Sequence, residues 1–248
     1  MPLRVETCVA THIGDRTEQQ DRVDLFAHPT RPGMLMAVLA DGMGGHSGGS
    51  MAAEQVIVKA RQNLAVYAPK AETPRQLLEE IIREAHVTVT LTRFTSEKDP
   101  HTTAVVFLLH PGGASWAHCG DSRLYHFRGM QTVSRSADHS LVEELLRQGR
   151  ISPAAAQTHP QRNVLLSCLG GGQAPEIEHG AVDRLVAGDA FLLCSDGLWA
   201  YFSDDELAAL IAGRSARQAA EDLVALTRAR ADGEGDNLSL ALVKLVEA

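Results

Sequence analysis

The stretch MLMAVLADGMGGHSGG, residues 34–49, sets the interpretation of the whole chain. Its apolar run at 34–40 predicts a buried strand that ends at Asp41, and a helical pattern occupies 47–67. The residues that follow Asp41 are rich in glycine, and this stretch is compatible with two functions. Their backbone could cradle a phosphate at the start of the helix, or Asp41 could anchor another group at the end of the strand.

Periodicity and capping signals predict the remaining elements. Together with the run at 34–40, strands are predicted at 3–12, 22–27, 102–109, 114–119, 122–127, 131–134, 189–194 and 238–246. Helices are predicted at 47–67, at 74–92, from Ser140 to Gly149, at about 204–212 and at about 215–230. Because strands and helices come in separate runs, the pattern favours an α+β fold with antiparallel sheets.

Composition excludes several classes of protein. The chain has 248 residues and a formal net charge of −8, without a long basic run. Binding to nucleic acid or to an anionic membrane is therefore not expected. No apolar stretch approaches the roughly 20 residues of a membrane span. Four cysteines lie far apart without a C-x-x-C pair, which favours free thiols and a cytoplasmic location.

Aspartates stand at or beside the ends of several predicted strands. They are Asp21, Asp41, Asp121, Asp196 and Asp236. Each one alone is typical of a turn. Buried strands converge at their ends, however, and clustered carboxylates repel one another until a cation binds. Ligation by oxygen alone favours Mg²⁺ or Mn²⁺, and a carboxylate-rich site could hold two ions about 3.5–4 Å apart.

Two other phosphate-handling classes are weaker interpretations. A phosphate loop requires G-x-x-x-x-G-K-[ST] or G-x-G-x-x-G in context. No lysine follows these glycines, and the nearest is Lys59, inside the predicted helix. A phosphatase of the haloacid dehalogenase type would need a D-x-D motif at an early strand end, which this sequence lacks. Arg16, in a polar loop, is either a solvent-exposed arginine or a guanidinium that binds phosphate oxygens.

Seven motifs follow one another in a recognisable order. They are RTEQQD at 16–21, DGMGGH at 41–46, HTTAV at 101–105, HCGDSRLY at 118–125, ADHSL at 137–141, CSDGLW at 194–199 and GDNLS at 235–239. Over essentially its whole length, the chain therefore resembles the metal-dependent protein phosphatases of the PP2C (PPM) family, of the compact bacterial kind.

The resemblance implies a fold and a domain organisation. The expected fold is α+β, with a central sandwich of two antiparallel β-sheets flanked by pairs of helices. One catalytic domain would span 1–248, and a variable flap at about 141–172 would lie near the substrate. The metal site would lie at one end of the sandwich.

The resemblance also implies the metal ligands. Asp41 would bridge two Mn²⁺ or Mg²⁺ ions and the nucleophilic water, and the Gly42 carbonyl would bind one of these ions. Asp196 and Asp236 would complete the protein ligands of the other ion. Asp21 would act directly or partly through water.

A third, weaker metal ion is implied at Asp121 together with Asp196, and Arg16 matches the phosphate-binding arginine. The implied reaction is hydrolysis of phosphoserine or phosphothreonine in proteins. A metal-bridging hydroxide would attack in line, without a phospho-enzyme intermediate. The expected partners are phosphorylated substrate proteins, with the enzyme acting as a monomer that opposes a bacterial Ser/Thr kinase.

The sequence departs from the family pattern at three positions. Gln20 stands where many relatives carry glutamate, and His101 stands where glycine is usual. Met43 occupies the position of a histidine proposed as general acid in some eukaryotic relatives. Leaving-group protonation would then come from a metal-bound water or another residue, for which His46 is a candidate.

Several motif residues are expected to have structural roles. The pair Thr102-Thr103 is assigned to strand pairing and core packing, and Trp199 to the core. Asp138-His139 is assigned to the base of the flap, and Arg162-Asn163 to a surface loop that could touch substrate. A catalytically inactive relative that acts as a regulatory binding module is the alternative function. The retained aspartates favour an active enzyme.

Overall fold

The computed structural model of the chain describes residues 3–44, 47–92 and 99–248. Within these ranges the strands are β1 (Leu3–His12), β2 (Arg22–Ala27), β3 (Leu35–Ala40), β4 (Gly42–Met43), β5 (His101–Thr102), β6 (Ala104–His110), β7 (Gly113–Cys119), β8 (Arg123–Arg128), β9 (Gln131–Arg135), β10 (Glu178–Val182), β11 (Asp189–Cys194) and β12 (Leu238–Glu247). Each segment predicted as a strand forms one, with small shifts at its ends.

These strands build a sandwich of two antiparallel sheets. One five-stranded sheet has the order β1-β12-β11-β8-β9, the other has the order β10-β7-β6-β3-β2, and β4 pairs with β5. The two sheets face each other across an apolar layer that includes Leu39, Phe107, Phe191 and Val243. The rings of Phe107 and Phe191 meet across it with centroids 4.7 Å apart. The expected α+β sandwich is confirmed.

Helices cover both outer faces. They are α1 (Ser47–Val66), α2 (Pro74–Thr92), α3 (Leu141–Arg147), α4 (Pro153–Gln157), α5 (Asp196–Trp199), α6 (Asp204–Ile211) and α7 (Ala216–Ala231). The pair α1 and α2 packs on the sheet that contains β3, β6 and β7. The pair α6 and α7 packs on the other sheet. In α2 the predicted stripe is buried, because Leu78, Ile81 and Ala85 recur on one helical face.

Side-chain caps begin the helices where the sequence signals predict them. The Ser203 hydroxyl accepts the Glu206 N–H at 3.2 Å, and the Glu206 carboxylate accepts the Ser203 N–H at 3.0 Å. This reciprocal pair is the predicted capping box of α6. The Ser140 hydroxyl likewise accepts the Glu143 N–H at 3.3 Å. Gly149, with φ of +67°, follows the end of α3 in the left-handed region.

Besides the two-residue strand β4, three short elements are not predicted by the sequence patterns. Strand β10 has the sequence EHGAV, without an apolar run, and forms by pairing along β7. Gly180 is required in it because a Cβ there would lie 2.2 Å from the Trp116 ring. Helix α4 forms within the segment assigned to the variable flap, with Ser152 as its cap and Pro153 in its first turn. Helix α5 is a single turn that follows β11 directly.

Strand registers bring the predicted site residues to one end of the sandwich. Leu238, at the start of β12, pairs with His12 at the end of β1, and Leu240 pairs with Cys194 at the end of β11. In the other sheet, Ala40 at the end of β3 pairs with Arg22 at the start of β2. No helix among the described residues has the length and apolar character needed to cross a membrane.

Candidate active site

Six of the seven predicted site residues line one cavity at this end of the sandwich. The cavity has a volume of about 430 Å³, and its lining includes Arg16, Asp41, Gly42, Asp121, Asp196 and Asp236. Asp21 is the seventh, and it is buried, with 2% of its surface exposed. Residues from five separate chain segments therefore meet at one cavity.

Asp41 is fixed through its backbone at the junction of β3 and β4. Its N–H donates to Thr103 Oγ1 at 2.9 Å. Its carbonyl accepts the Thr103 N–H and the Thr102 hydroxyl, both at 2.9 Å. The threonine pair thus does more than the packing assigned to it, because it sets the position of Asp41. Burial, followed by the charges of Asp21 and Asp196, raises the pKa of Asp41 well above its usual range.

Gly42 is required by the close approach of two backbone segments. A Cβ on Gly42 would lie 2.1 Å from the Gly49 carbonyl oxygen and 2.8 Å from that of Gln20. Only glycine therefore allows β4 to pack against the first turn of α1. The expectation that the Gly42 carbonyl binds a metal ion stays a prediction.

Asp21 is held by a serine that the sequence did not single out. The Ser195 hydroxyl donates to Asp21 Oδ2 at 2.8 Å and accepts the Ser239 N–H at 3.0 Å. The other oxygen, Asp21 Oδ1, is buried without a hydrogen-bond partner. Burial, and then the charge of Asp196, raise the pKa of Asp21 to about 6. Sequence spacing could not reveal this pairing, since the two residues are 174 positions apart.

Asp196 and Asp121 approach the cavity from opposite sheets. Asp196 begins α5 directly after β11, and Asp121 follows β7 through Gly120. Burial, and then the charge of Asp236, raise the pKa of Asp196 to about 6. Burial, and then the charge of Asp196, raise the pKa of Asp121 well above its usual range. Carboxylates are thus the main charged neighbours of both carboxylates.

Trp199 is half-buried: it packs against the core beneath α6 and α7, as the sequence analysis expected, and it also lies beside this site. Its indole Nε1 donates to the Asp121 carbonyl at 2.9 Å. The guanidinium of Arg123 stacks on the indole ring at 3.5 Å from its centroid. A tryptophan needs a partner for its N–H when half-buried, and the turn at Asp121 supplies one.

Asp236 and Arg16 form the exposed side of the cavity. Arg16 Nη2 donates to Asp236 Oδ2 at 2.6 Å, although 61% of the Arg16 side chain remains exposed. The neighbouring Asn237 ties down the loop that carries Arg16. Its amide donates to the Glu18 carbonyl at 3.0 Å, and its Oδ1 accepts the Gln20 N–H at 2.7 Å. Sequence reasoning did not assign this role to Asn237.

The residues present fit divalent cations. All side-chain donors are carboxylate oxygens, which hard ions prefer, and burial followed by their mutual repulsion raises their pKa values. The unpartnered Asp21 Oδ1 adds one buried lone-pair donor. Among the described residues, the three ligand-type side chains whose donor atoms all lie within 4.8 Å of one another are His118, His139 and Glu178. The carboxylates of the cavity do not form a group this tight among the described residues.

A larger cavity adjoins this one on the side of the predicted flap. Its volume is about 920 Å³, and its lining runs from Arg16 and Asp236 to Val142, Leu146 and Arg162. Asn163 lines both cavities. The loop expected to be a surface segment therefore faces the site.

Two of the departures from the family pattern also lie at the cavity. Met43 and Gln20 both line the smaller cavity. A thioether therefore replaces the histidine of some relatives, and an amide replaces the glutamate of many. The candidate acid His46 lies outside the described residues. His101 pairs with Met43 between β5 and β4, which is a structural position.

Comparisons with known proteins agree with this geometry. The family model described as protein phosphatase 2C matches residues 9–232. The protein phosphatase PhpP of Streptococcus pneumoniae is 31% identical over 249 residues, which cover 98% of each chain. The serine/threonine phosphatase stp of Listeria monocytogenes is 32% identical over 216 residues, or 84% of each chain.

The same likeness holds in three dimensions. The solved structure of the S. agalactiae serine/threonine phosphatase matches with a TM-score of 0.88 at 28% identity, and the match covers 98% of this chain and 100% of that one. The motifs of the sequence, the sandwich with its acidic cavity and the matching relatives agree. The chain belongs to the protein phosphatase 2C family.

Proposed function

We propose that this enzyme hydrolyses phosphoserine and phosphothreonine in proteins with the help of divalent cations. The observation that carries the proposal is the group of buried carboxylates at Asp21, Asp41, Asp121 and Asp196, whose main charged neighbours are one another and Asp236. Such a group is unfavourable without a cation. Its relatives in Streptococcus pneumoniae and Listeria monocytogenes are named as phosphatases, which supports the same substrate chemistry here.

The cation ligands follow from the lining of the cavity. Asp41, Asp196, Asp236 and the Gly42 carbonyl would hold two Mg²⁺ or Mn²⁺ ions, and Asp121 would contribute to a third. Such ions, when bound, supply a water-derived nucleophile at neutral pH and neutralise the charge of the phosphate.

Arg16 would bind the phosphate. Its side chain is largely exposed at the cavity edge, and Asp236 orients it through a single bond at 2.6 Å. The remaining guanidinium N–H groups can therefore donate to the oxygens of an incoming phosphate. Because a phosphate carries more charge than one carboxylate, the guanidinium gains a stronger partner when the substrate binds.

Asp21 would contribute to the same cation site, directly or through water. Its Oδ2 is engaged by Ser195, so the free Oδ1 is the atom available to accept a hydrogen bond from water in the site. Met43 has no proton to give, so the leaving oxygen would take its proton from water in the cavity. The larger cavity beside the flap would hold the peptide on either side of the phosphorylated residue.

The regulatory binding module remains the competing function, but no observation favours it. An inactive relative would be expected to have lost ligand carboxylates, and here Asp41, Asp121, Asp196 and Asp236 all line the site. We further propose that the enzyme is a cytoplasmic monomer that opposes a bacterial Ser/Thr kinase. One domain over 1–248, with a flap at about 141–172, completes the proposal.

A peptide assay tests the activity. The protein is incubated with a phosphothreonine peptide and Mn²⁺, and released phosphate is measured, with EDTA and Asp41→Asn as negative controls. Asp205→Asn serves as the matched control, because Asp205 is an exposed aspartate outside the cavity. We expect phosphate release that requires metal. It should be lost in Asp41→Asn and persist in Asp205→Asn. If the unmodified protein releases no phosphate that depends on metal, the proposed function is refuted.

A further inference from the structure

We propose that Asp138 and His139 are positioning residues that fix the turn at Gly120-Asp121 and couple it to the flap. The position of Asp121 is not set by its own loop alone, because contacts from Asp138 and His139 reach the Gly120-Asp121 turn along two routes. The inference rests on the proposed function only in taking Asp121 as a metal ligand. Its test measures metal binding directly, so it can fail while the phosphatase activity stands.

The first route is a clamp by His139 on Gly120. The His139 N–H donates to the Gly120 carbonyl at 2.9 Å, and the Gly120 N–H donates to His139 Nδ1 at 3.2 Å. Gly120 has φ of +104°, and a Cβ there would lie 2.7 Å from Thr103 Cγ2. The turn therefore has one tightly defined conformation. The His139 imidazole accepts the Gly120 N–H, which would otherwise be buried without a partner.

The second route runs from Asp138 through two side chains. Asp138 accepts two bonds from the Arg123 guanidinium, at 2.8 and 2.7 Å. Arg123 stacks on Trp199, whose Nε1 donates to the Asp121 carbonyl at 2.9 Å. A bidentate pair holds the guanidinium plane in one orientation, and the stacked indole is fixed in turn. Gly120 and the Asp121 carbonyl are thus both held by one dipeptide.

The same dipeptide holds the returning segment of the flap. The Leu166 N–H donates to the His139 carbonyl at 2.8 Å, and the Leu141 N–H donates to the Val164 carbonyl at 2.9 Å. Leu165, between them, pairs with Ser140 and lines the active-site cavity. A movement of residues 164–166 would therefore be transmitted through His139 to the Asp121 turn.

The chemistry of His139 favours positioning over metal binding, although His118, His139 and Glu178 form a tight group. His139 Nδ1 accepts a bond, so its proton is on Nε2, and His118 Nε2 donates to the Ala137 carbonyl at 2.8 Å. Both Nε2 atoms thus present N–H donors instead of the lone pairs that a metal needs. The His139 Nε2–H faces Glu178 Oε1 at 3.9 Å, and the two rings stack with centroids 4.8 Å apart.

Metal titration with a matched pair of variants tests the inference. Mn²⁺ binding to the whole chain is followed by electron paramagnetic resonance of free Mn²⁺, and the Asp121-dependent site is identified as the one lost in Asp121→Asn. His139→Leu removes the acceptor for the Gly120 N–H, whereas the amide oxygen of His139→Asn can replace Nδ1. We expect His139→Leu to weaken this site by about 10–100-fold, as loss of an outer partner does, and His139→Asn to restore most of the affinity.

A second histidine provides the control. His86 Nδ1 also accepts a backbone N–H, that of Gly170, at 3.3 Å, but it lies on α2. His86→Leu is therefore expected to leave the Asp121-dependent site unchanged. If His139→Leu does not fold, Trp199→Phe replaces it, because this variant removes the N–H that binds the Asp121 carbonyl while keeping an aromatic ring beside Arg123, and it should weaken the same site. The proposal is overturned if His139→Leu binds Mn²⁺ at this site as tightly as the unmodified protein does. It is also overturned if His139→Leu and His139→Asn lose Mn²⁺ affinity equally, or if no site depends on Asp121.

Hydrogen exchange tests the coupling to the flap. Mn²⁺ is expected to slow exchange at residues 164–166 in the unmodified protein, and to have little effect there in His139→Leu. Exchange at these residues that does not respond to Mn²⁺ in the unmodified protein would show that the flap and Asp121 are not coupled.

Discussion

Buried carboxylates occur at both ends of strand β11, in opposite surroundings. At its start, Asp189 has no exposed surface and accepts bonds from Arg128 Nε at 2.8 Å and His126 Nε2 at 3.0 Å. Burial alone would raise its pKa, but the bond from Arg128 and that from the Val186 N–H bring the pKa below its usual value. Just past the other end of the strand, Asp196 has its pKa raised to about 6, by burial and by Asp236.

The difference separates carboxylates that stabilise the fold from those that bind a ligand. A buried carboxylate with cationic partners contributes to folding, and removing it leaves the partners unpaired. A buried carboxylate among like charges costs stability, and the fold retains it only where a cation can bind. The two ends of β11 should therefore respond in opposite ways to the same substitution.

The largest expected effect is at the cavity end. Asp196→Asn removes a proposed metal ligand, and the lost stabilisation of several kcal/mol should lower kcat/KM about 1,000-fold or more. The fold should be retained, because the substitution also removes a like charge from the cluster. Steady-state kinetics with a phosphothreonine peptide and urea unfolding in EDTA measure the two quantities. A variant that keeps full activity would place Asp196 outside the reaction.

The same substitution at the paired end should change stability instead. Asp189→Asn leaves the half-exposed Arg128 and the buried His126 without their carboxylate, and leaving buried hydrogen-bonding groups unsatisfied costs about 2 kcal/mol. Activity per folded molecule should not change at a temperature where the variant is folded. Urea unfolding gives the free energy, and the comparison fails if Asp189→Asn unfolds like the unmodified protein.

The pH dependence of the metal-free protein tests the repulsion within the cluster. The pKa of Asp21 is raised from 3.8 to about 6, so the folded carboxyl binds its proton more tightly than the unfolded one. Its contribution to stability is complete below pH 3.8 and is lost as the pH rises through 6. Asp21→Asn lacks this titration, so its stability relative to the unmodified protein should rise by on the order of 2 kcal/mol between pH 4 and pH 7.

The difference between two proteins is measured because the histidines titrate equally in both. Unfolding is followed in EDTA, since a bound cation would compete with the proton. A difference that stays constant over this pH range would show that Asp21 is not destabilised in the folded state.

Sequence patterns predicted the strands because these are apolar runs whose signals depend only on neighbouring residues, whereas the arrangement of the strands as a two-sheet sandwich was implied by the family resemblance. The run at 34–40 is an example, since burial on both faces requires an apolar residue at nearly every position. β10 could not be predicted in this way. Its sequence EHGAV becomes a strand only because β7 offers it a free edge.

The same limit applies to the site. The aspartates could be found because they stand at or beside the ends of strands, and strand ends converge. The serine that holds Asp21 and the indole that reaches Asp121 could not, because Ser195 and Trp199 act on residues far away in the chain. Their roles depend on which strands become neighbours in the fold, and local sequence patterns do not show that.

Arg16 offers the smallest expected effect and the sharpest test of the exposed side of the cavity. Unlike Arg128, which is paired to a fully buried carboxylate, Arg16 has one bond to Asp236 and an exposed side chain. Arg16→Ala should therefore leave stability nearly unchanged, since exposed pairs contribute little. It should raise KM for a phosphopeptide about 10-fold with kcat nearly constant, because the phosphate contact exists in both the ground state and the transition state. Arg4→Ala is the matched control, as Arg4 is equally exposed and pairs with Glu6 away from the cavity. An unchanged KM in Arg16→Ala would show that the phosphate is bound without this guanidinium, by the metal ions alone.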